Sequence, residues 1–574
     1  MRKSCLLFAG LLGVAATLPA CGGGGPKSPP AETDDDFPMP LASGRSPTPP
    51  MGWNSWNKFA CNITDMFVRQ IAQAMVDSGM KDAGYQYVNI DDCWSLAARD
   101  ASGNLQADPV HFPNGIAPVA DFVHSLGLKL GLYGDRGTET CGHRAGSQGY
   151  EMQDAMTMAS WGVDYLKYDN CPDPGPNPGP IIEPSYETMR MQLDAAEQVV
   201  GHNIVFSVCA WSFYEWANRL GQLQRTTTDI KNTWVPDPNS TDAGSIITSV
   251  KTNLPLAAYG GPNHWNDPDM LEVGNSDNGA GTVTDVEYQS HFALWAIAAA
   301  PLIAGNDLRN MSATTKAILT NKEIVAINQD AFGLQGVQVK QVGEQSVWAK
   351  PLNGNGERAV VLLNEAADAA PVTFRFDEIG LRGGAATVRD LQAQMDEGTF
   401  TDSFTALVSS HGTVTVKVVG SEPPRPRGMA YLSDLTPIYA ANGLGPVERD
   451  TTNGSSDPGD GKPITIRGTP FMKGLGLSAP SAIIYRLGQK CTSFSAQVGV
   501  DDSSTGGVGT VRFQVIVDGE VLFDSQNLDG TMPAMPVNVD LTGKRRLKLL
   551  VTNADDGSSL DRASWADAKV ECDP

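Results

Sequence analysis

Histidine is scarce in this chain, and the few histidines do not form a metal-binding motif. Seven occur among 574 residues, and none stands in a His-Glu-x-x-His or Cys-x-x-Cys setting, the spacings typical of zinc sites. Basic residues are also few, with 42 lysines and arginines against 65 acids and a net charge of -23. A surface this acidic repels phosphate backbones. We therefore expect no metal, no cofactor and no nucleic-acid partner.

Two further features are missing, one typical of dinucleotide-binding proteins and one typical of proteins with membrane-spanning helices. The sequence has no glycine-rich phosphate loop, which a doubly wound dinucleotide-binding sheet would carry. It has no apolar run after residue 20 that is long enough to cross a membrane. A chain of 574 residues is too long for one core, so we expect several globular domains.

The N-terminus is predicted to be an export signal. Residues 1–3 are Met-Arg-Lys, and residues 6–18 are apolar but too few to span a bilayer. The segment ends in Leu18-Pro19-Ala20-Cys21 before four glycines, which resembles a bacterial lipoprotein signal. We expect residues 1–20 to be that signal and Cys21 to carry a lipid that anchors the protein to the cell envelope, periplasmic or at the surface. A secretory signal cut after Ala20, with a secreted product, is the alternative.

The cysteines predict a protein with disulfide bonds, because export leads to an oxidising compartment. Cys209 remains as a buried free thiol. The three predicted bridges are Cys61–Cys93, Cys141–Cys171 and Cys491–Cys572.

Composition and pattern divide the chain into segments. Residues 21–46 are rich in glycine, proline, serine and acid and read as a disordered tether. Residues 47–337 alternate strand and helix, with strands near 85–90, 128–132, 164–168 and 204–208, which indicates a parallel sheet. Polar and aromatic residues after these strands favour a (β/α)₈ TIM barrel with its active site at that end. A doubly wound open sheet is the structural alternative.

Short β-type runs replace this pattern in the second half. Residues 338–420 are predicted to form a small antiparallel β-domain. Residues 421–427, which contain three prolines, read as a linker. Residues 428–574 are predicted to form a C-terminal β-sandwich that the Cys491–Cys572 bridge closes.

The fourth barrel strand ends on a candidate nucleophile, Asp169. Lys167 lies two positions earlier, so both side chains project from the same face of the strand. A nearby ammonium favours the ionised acid, which covalent catalysis requires. A Lys–Asp pair that only supports the fold is the structural alternative.

The other strand ends supply acids and aromatic platforms, which are the groups that sugar chemistry uses. Glycoside hydrolysis needs two carboxylates, and we assign Asp169 as nucleophile and Asp229 as acid/base. Arg225, four residues before Asp229, is predicted to anchor it or to hold the sugar. Asp267 and Asp269 flank a proline and are predicted to form a turn or the pocket rim. The remaining strand-end residues are Trp56, Asp91, Asp92, Tyr133 and Trp211.

Motifs spread over residues 47–340 resemble, in order, those of the α-galactosidase and α-N-acetylgalactosaminidase group of retaining glycoside hydrolases, family 27. They are MGWNSW at 51–56, IDDCW at 90–94, LGLY at 130–133, LKYD at 166–169, RTTTD at 225–229 and WNDPDM at 265–270. The resemblance implies a barrel followed by an antiparallel β-domain. It implies that Asp169 attacks the anomeric carbon and that Asp229 protonates the leaving oxygen. It also implies a galactose pocket lined by Trp56, Asp91, Asp92, Tyr133, Cys141, Lys167 and Arg225.

One position departs from the family pattern and leaves two substrates open. Ala210 stands where many α-galactosidases of this family have glutamate, and a small residue leaves room for a 2-acetamido group. We expect an enzyme that releases terminal α-linked galactose from oligo- or polysaccharides, with α-N-acetylgalactosaminidase as the alternative. A non-catalytic sugar-binding envelope protein is the alternative from another class. Residues 428–574 resemble the NPCBM type of carbohydrate-binding module.

Overall fold

The computed structural model describes residues 42–172, 179–236, 244–275, 283–504, 509–557 and 561–574. The predicted signal peptide, Cys21 and nearly all of the predicted tether lie outside the described residues. Among the helices that the structure describes, none is both long and apolar enough to span a bilayer.

Eight parallel strands form the first sheet, in the spatial order β7-β6-β5-β4-β3-β2-β1-β8. Its edges meet through Leu271, which forms a parallel bridge with Ala304. The N–H of Leu271 donates to the carbonyl of Ile303 at 2.8 Å, so the sheet closes into the predicted barrel. The strands are β1 Met51–Asn54, β2 Tyr87–Ile90, β3 Lys129–Asp135, β4 Tyr165–Asp169, β5 Val205–Val208, β6 Leu223–Arg225, β7 Trp265–Asp267 and β8 Leu302–Ala304.

Helices connect the strands and cover the barrel. In the second of them, Thr64 caps the N-terminus by accepting from the N–H of Phe67, and one face buries Val68, Ile71 and Met75. This spacing of apolar residues is typical of an amphipathic helix on a core. The helices are α1 Trp56–Phe59, α2 Asp65–Asp77, α3 Met80–Ala83, α4 Ala117–Ser125, α5 Glu151–Ser160, α6 Gly179–Val200, α7 Ala217–Leu220, α8 Ile246–Asn253, α9 Asp285–Ile297, α10 Ala313–Leu319 and α11 Lys322–Asn328.

The third strand is longer than the sequence predicted. The pattern ended it at residue 132, whereas β3 continues to Asp135, and its last four residues are all buried. Tyr133 therefore lies within the strand rather than after it. Gly131 and Gly134 do not interrupt β3, because neighbouring strands pair with it on both sides.

An antiparallel β-domain follows the barrel, and one face of one of its strands packs against the barrel core. Along β11, Val361 and Leu363 pack in the barrel core, whereas Val360 and Leu362 pack in the core of the β-domain. Side chains alternate between the two faces of a strand, which explains why β11 is a continuous apolar run. The strands are β9 Val337–Val342, β10 Gln345–Pro351, β11 Glu357–Asn364, β12 Ala370–Arg375, β13 Ala385–Asp390, β14 Met395–Thr401, β15 Ser403–Val408 and β16 Thr413–Val419.

The predicted linker is held in place by a buried ion pair. Glu422 lies 2.8 Å from the guanidinium of Arg358, whose side chain is fully buried. Glu422 also accepts from the N–H of Gly356 at 2.9 Å. This segment is therefore docked on the β-domain rather than extended away from it.

The C-terminal region is a sandwich of a six-stranded and a five-stranded sheet around a core that contains Phe494, Phe513 and Trp565. Cys491 and Cys572 join neighbouring strands of one sheet. Its strands are β17 Met429–Tyr431, β18 Tyr439–Ala441, β19 Glu448–Arg449, β20 Ile464–Ile466, β21 Thr469–Phe471, β22 Gly474–Ser478, β23 Ser481–Arg486, β24 Cys491–Val500, β25 Thr510–Val517, β26 Glu520–Asp529, β27 Met535–Asp540, β28 Arg546–Thr552 and β29 Arg562–Cys572.

The disulfides pair as the sequence predicted. The structure joins Cys61 to Cys93, Cys141 to Cys171 and Cys491 to Cys572. Among the described residues Cys209 is the free cysteine, and it is buried.

Candidate active site

One cavity of about 420 Å³ lies at the carboxyl ends of the barrel strands. All of the residues that the sequence proposed for catalysis or sugar binding line it. Asn57, Asp269 and Met270 line it as well, and no sequence pattern indicated Asn57 or Met270 as a pocket residue. The proposed residues in the wall are Trp56, Asp91, Asp92, Tyr133, Cys141, Lys167, Asp169, Trp211, Arg225 and Asp229.

Asp169, the last residue of β4, is held by two hydrogen bonds. The Tyr133 hydroxyl donates to Oδ2 at 2.9 Å, and the backbone N–H of Asn170 donates to Oδ1 at 2.9 Å. Burial raises the pKa of the Asp169 carboxyl, and the charge of Lys167 and the Tyr133 hydrogen bond oppose that rise. Hydrogen bonds to the carboxylate favour the ionised form and aim its oxygens.

Lys167 pairs directly with Asp91 rather than with Asp169. Its Nζ lies 2.8 Å from Oδ2 of Asp91, and Asn54 donates to the same oxygen at 2.8 Å. The sequence spacing had favoured Asp169 as the partner. The side chains do share a strand face, but the neighbouring acid of β2 lies closer to the ammonium, which acts on Asp169 only through its charge.

Asp92 accepts three hydrogen bonds from two loops, and each loop is held by its own disulfide bond. The N–H groups of Cys93 and Gly142 each donate at 2.6 Å, and the Thr140 hydroxyl donates at 2.9 Å. Burial nevertheless raises the pKa of Asp92. Cys93, one of these donors, and Cys141, which lies between the other two, each belong to a disulfide, so covalent bonds fix the loops that hold this acid.

Arg225 lies between two carboxylates. It is 2.8 Å from Asp229 and 2.6 Å from Asp269, and its own side chain is 4% exposed. Desolvation by the surrounding pocket wall would by itself raise the pKa of Asp229, but the Arg225 guanidinium outweighs this effect and holds that pKa below its usual range. The Asp229 side chain is 60% exposed, so it faces the cavity with room for a ligand.

Asp269, predicted to belong to a turn or to the pocket rim, lines the pocket. It is 5% exposed and accepts from the N–H of Ile230 at 2.8 Å. Its backbone is left-handed, with φ of 89°, a conformation that is uncommon for residues other than glycine. This turn, together with Arg225, directs its carboxylate inward.

Trp211, and not Ala210, faces the cavity after β5. Ala210 is 4% exposed and packs in the barrel core, whereas Trp211 lines the pocket with a left-handed backbone at φ of 55°. Ala210 therefore contributes no polar group to the cavity.

The wall combines groups that suit a sugar. Carboxylates accept hydroxyl groups, indole faces cover the apolar face of a ring, and the paired acids Asp169 and Asp229 open on one cavity. A TIM barrel with these groups at its carboxyl end defines a glycoside hydrolase.

Comparisons with known proteins identify the family. Residues 48–330 match the family model described as alpha galactosidase A, residues 342–418 the alpha galactosidase C-terminal beta sandwich domain, and residues 428–571 the NPCBM/NEW2 domain. An α-galactosidase from Oryza sativa subsp. japonica is 46% identical over 61% of this chain and 80% of its own length. Alpha-galactosidase A from Cellvibrio japonicus is 48% identical over 58% of this chain and 78% of its own length.

A solved structure agrees with these relatives. The crystal structure of α-galactosidase I from Mortierella vinacea is 37% identical, with a TM-score of 0.61 over 65% of this chain and 97% of that one. The chain belongs to the α-galactosidase family of glycoside hydrolases, family 27.

Proposed function

We propose that the protein is a retaining exo-α-galactosidase that works by double displacement. The observation that carries this proposal is that Asp169 and Asp229 line one cavity together with two indoles and three further buried acids. A pocket at the end of a barrel suits a terminal sugar. The family relatives named α-galactosidase support galactose as that sugar.

In the first step a carboxylate oxygen of Asp169 bonds to the anomeric carbon as the bond to the leaving oxygen breaks. Asp229 gives its proton to that oxygen, and the galactosyl group remains as an ester on Asp169. In the second step Asp229 takes a proton from water, whose oxygen bonds to the anomeric carbon. Galactose leaves, and the Asp169 carboxylate and the Asp229 acid are restored.

Sugar binding supplies the proton state that this chemistry needs. Before binding, Arg225 favours the ionised form of Asp229. A sugar ring that covers the exposed Asp229 side chain removes water from it and so raises its pKa. Asp269 also forms an ion pair with Arg225. Its negative charge therefore reduces the effect of Arg225 on the pKa of Asp229.

Asp91 and Asp92 are the proposed acceptors for the 4- and 6-hydroxyls. Each carboxylate has about four acceptor positions. Asp91 accepts hydrogen bonds from the side chains of Asn54 and Lys167 and from the N–H of Asp92. Asp92 likewise accepts hydrogen bonds from three protein donors. About one position on each acid therefore remains for a sugar hydroxyl.

Turnover of nitrophenyl α-galactoside tests the proposal. We expect the wild type to release nitrophenol and Asp169→Asn to lose at least about 10³-fold in kcat, with the fold checked by circular dichroism. Nitrophenyl α-N-acetylgalactosaminide is assayed beside it and is expected to be the poorer substrate. Equal turnover by wild type and Asp169→Asn would remove the assignment, and preference for the acetamido sugar would reverse the choice of substrate.

We also propose that the protein is exported and lipid-anchored through Cys21. The N-terminal sequence supports this location, and so do the disulfides, which persist in oxidising compartments. Mass spectrometry of the mature N-terminus tests it. A diacylglyceryl group on Cys21 in the membrane fraction, lost in Cys21→Ser, is the expected result, and an unmodified Cys21 would contradict it.

A further inference from the structure

The C-terminal module is fixed to the barrel by a shared apolar core. Ala257, Ala258 and Leu334 of the barrel region pack with Ile438, Ile484 and Leu550 of the module. The Tyr439 hydroxyl also donates to the backbone carbonyl of Gln335 at 2.9 Å. Domains joined by an apolar interface are held in one orientation, whereas domains joined by polar linkers are not.

Beside this core, residues 552–555 of the module reach the segment of the barrel that follows Trp211. The Tyr259 hydroxyl lies 2.9 Å from Oδ1 of Asn553 and accepts from the N–H of Asn553 at 3.4 Å. The same hydroxyl lies 3.0 Å from Oε2 of Glu215. Asn553 of the module and Glu215 of the barrel therefore meet at one phenol oxygen.

Two further contacts hold the same barrel segment. The ring of Tyr259 packs on Phe213, with centroids 4.6 Å apart, and Arg219 lies 3.1 Å from Asp555. From the barrel side, the N–H of Tyr214 donates to Gln224 of β6 at 3.0 Å. Residues 213–219, which we call the Trp211 support, are thus held between β6 and the module.

The support matters because Trp211 has a strained backbone. A residue with a side chain costs about 1–2 kcal/mol in the left-handed region, and Trp211 has φ of 55°. Such a conformation persists only when the surrounding structure holds it. Phe213 is two residues beyond Trp211, so an anchor at Phe213 and Glu215 restricts the positions that the indole can take.

We propose that the module completes the sugar pocket from outside: its 552–555 turn, acting through Tyr259 and the Trp211 support, fixes the indole of Trp211 against the sugar. Asn553 and Tyr259 are positioning residues, and neither lines the cavity. The inference rests on the proposed function, because it takes galactose as the ligand that Trp211 contacts. It assigns the module a role in the affinity of the active site.

The inhibition constant of galactose in the hydrolysis of nitrophenyl α-galactoside is the readout, because it reports binding without chemistry. We expect Asn553→Ala and Tyr259→Phe each to raise this constant about 3- to 10-fold while kcat changes less than about twofold. Tyr259→Phe removes one hydroxyl and keeps the ring on Phe213, so it tests the contact if Asn553→Ala folds poorly. Asn527→Ala, at an exposed asparagine of β26, is the matched control and should leave the constant unchanged.

A double-mutant cycle shows whether the effect passes through Trp211. In a Trp211→Ala background, Asn553→Ala and Tyr259→Phe should have no further effect on the galactose constant. An unchanged constant in both single variants would overturn the inference, and so would an equal increase with and without Trp211. In either case wild-type turnover leaves the proposed function standing, whereas a wild type without turnover would remove the proposed function and this inference together.

Discussion

Arg225 lies 2.8 Å from the carboxylate of Asp229, the group to which we assign the catalytic proton. Arg225 lowers the pKa of Asp229, whereas burial raises the pKa of Asp169. In the free enzyme Asp169 therefore holds a proton more tightly than Asp229 does. The proposed chemistry needs the opposite arrangement, with Asp169 ionised and Asp229 protonated.

This distribution of the proton predicts an acidic pH optimum. As the pH rises, the pair loses the one proton that catalysis requires, and the alkaline limb of kcat/KM reports the higher apparent pKa of the pair. We expect a bell-shaped profile for kcat/KM with nitrophenyl α-galactoside, with its maximum below neutral pH. A kcat/KM that stays constant from about pH 5 to about pH 8 would contradict the assignment of the catalytic proton to these acids.

Asp229→Asn should affect substrates according to their leaving groups. Nitrophenolate departs without a proton, whereas the sugar alkoxide of melibiose or raffinose does not. A general acid contributes about 10²- to 10⁴-fold, so we expect a loss of that size on the oligosaccharide and a much smaller loss in the galactosylation step with the nitrophenyl glycoside. Pre-steady-state release of nitrophenol separates that step from hydrolysis of the intermediate. Equal losses on both substrates would remove the acid role.

The sequence predicted most of the pocket because the carboxyl ends of barrel strands converge. Asp91, Tyr133 and Asp169 are far apart in the chain, yet the strand pattern was enough to bring them together. Asp269 was predicted to belong to a turn or to the pocket rim, and it lines the pocket. Its inward direction could not be predicted, because it depends on a left-handed backbone and on Arg225.

Contacts between distant segments were beyond the sequence patterns. The partner of Lys167 depends on how close β2 comes to β4, which strand spacing along the chain does not report. Likewise, no pattern joins Asn553 to Tyr259, since the two lie 294 positions apart in different domains. Which side chains form such pairs depends on how separate strands and domains pack against each other, and this packing is not visible in the pattern of either segment.

The disulfides should separate stability from activity. In the chain-entropy view, a bridge that closes a longer loop stabilises more: about 4–5 kcal/mol for the 81-residue separation of Cys491–Cys572 and about 3–4 kcal/mol for the 30-residue separation of Cys141–Cys171. Activity should follow the opposite order, because Sγ of Cys141 lies 3.8 Å from Oδ2 of Asp169.

The test replaces each pair by alanines and measures kcat/KM at a temperature where both variants are folded. We expect a loss of about tenfold or more without Cys141–Cys171, as for other small displacements of reacting groups, and little change without Cys491–Cys572. A greater loss of activity from the C-terminal pair would contradict the assignment of the first bridge to the pocket.

His291 should make the barrel sensitive to acid. Its Nε2 accepts the N–H of Glu272 at 3.0 Å, which requires a neutral ring, and burial lowers its pKa to about 3. Between that value and the unfolded value of about 6.5, the unfolded chain binds the extra proton. The stability that the neutral ring contributes is therefore complete well above the unfolded pKa and is lost as the pH falls, by about 3 kcal/mol at about pH 4.5.

Melting temperatures at about pH 7 and about pH 4.5 check this sign. The decrease on acidification should be several degrees smaller in His291→Gln than in the wild type, because the amide oxygen can accept the same N–H without titrating. His143→Gln is the control, since the His143 side chain is 81% exposed. A decrease of equal size in wild type and His291→Gln would show that His291 does not drive acid unfolding.

The covalent intermediate tests the central claim most directly. A 2-fluoro-galactosyl donor with a good leaving group should form the glycosyl ester and hydrolyse slowly, so that digestion and mass spectrometry locate the sugar. We predict one added fluorogalactosyl group on the peptide that contains Asp169, and none in Asp169→Asn. A stable label on any other carboxylate, or inactivated enzyme without a bound sugar, would contradict the assignment of Asp169 as the nucleophile.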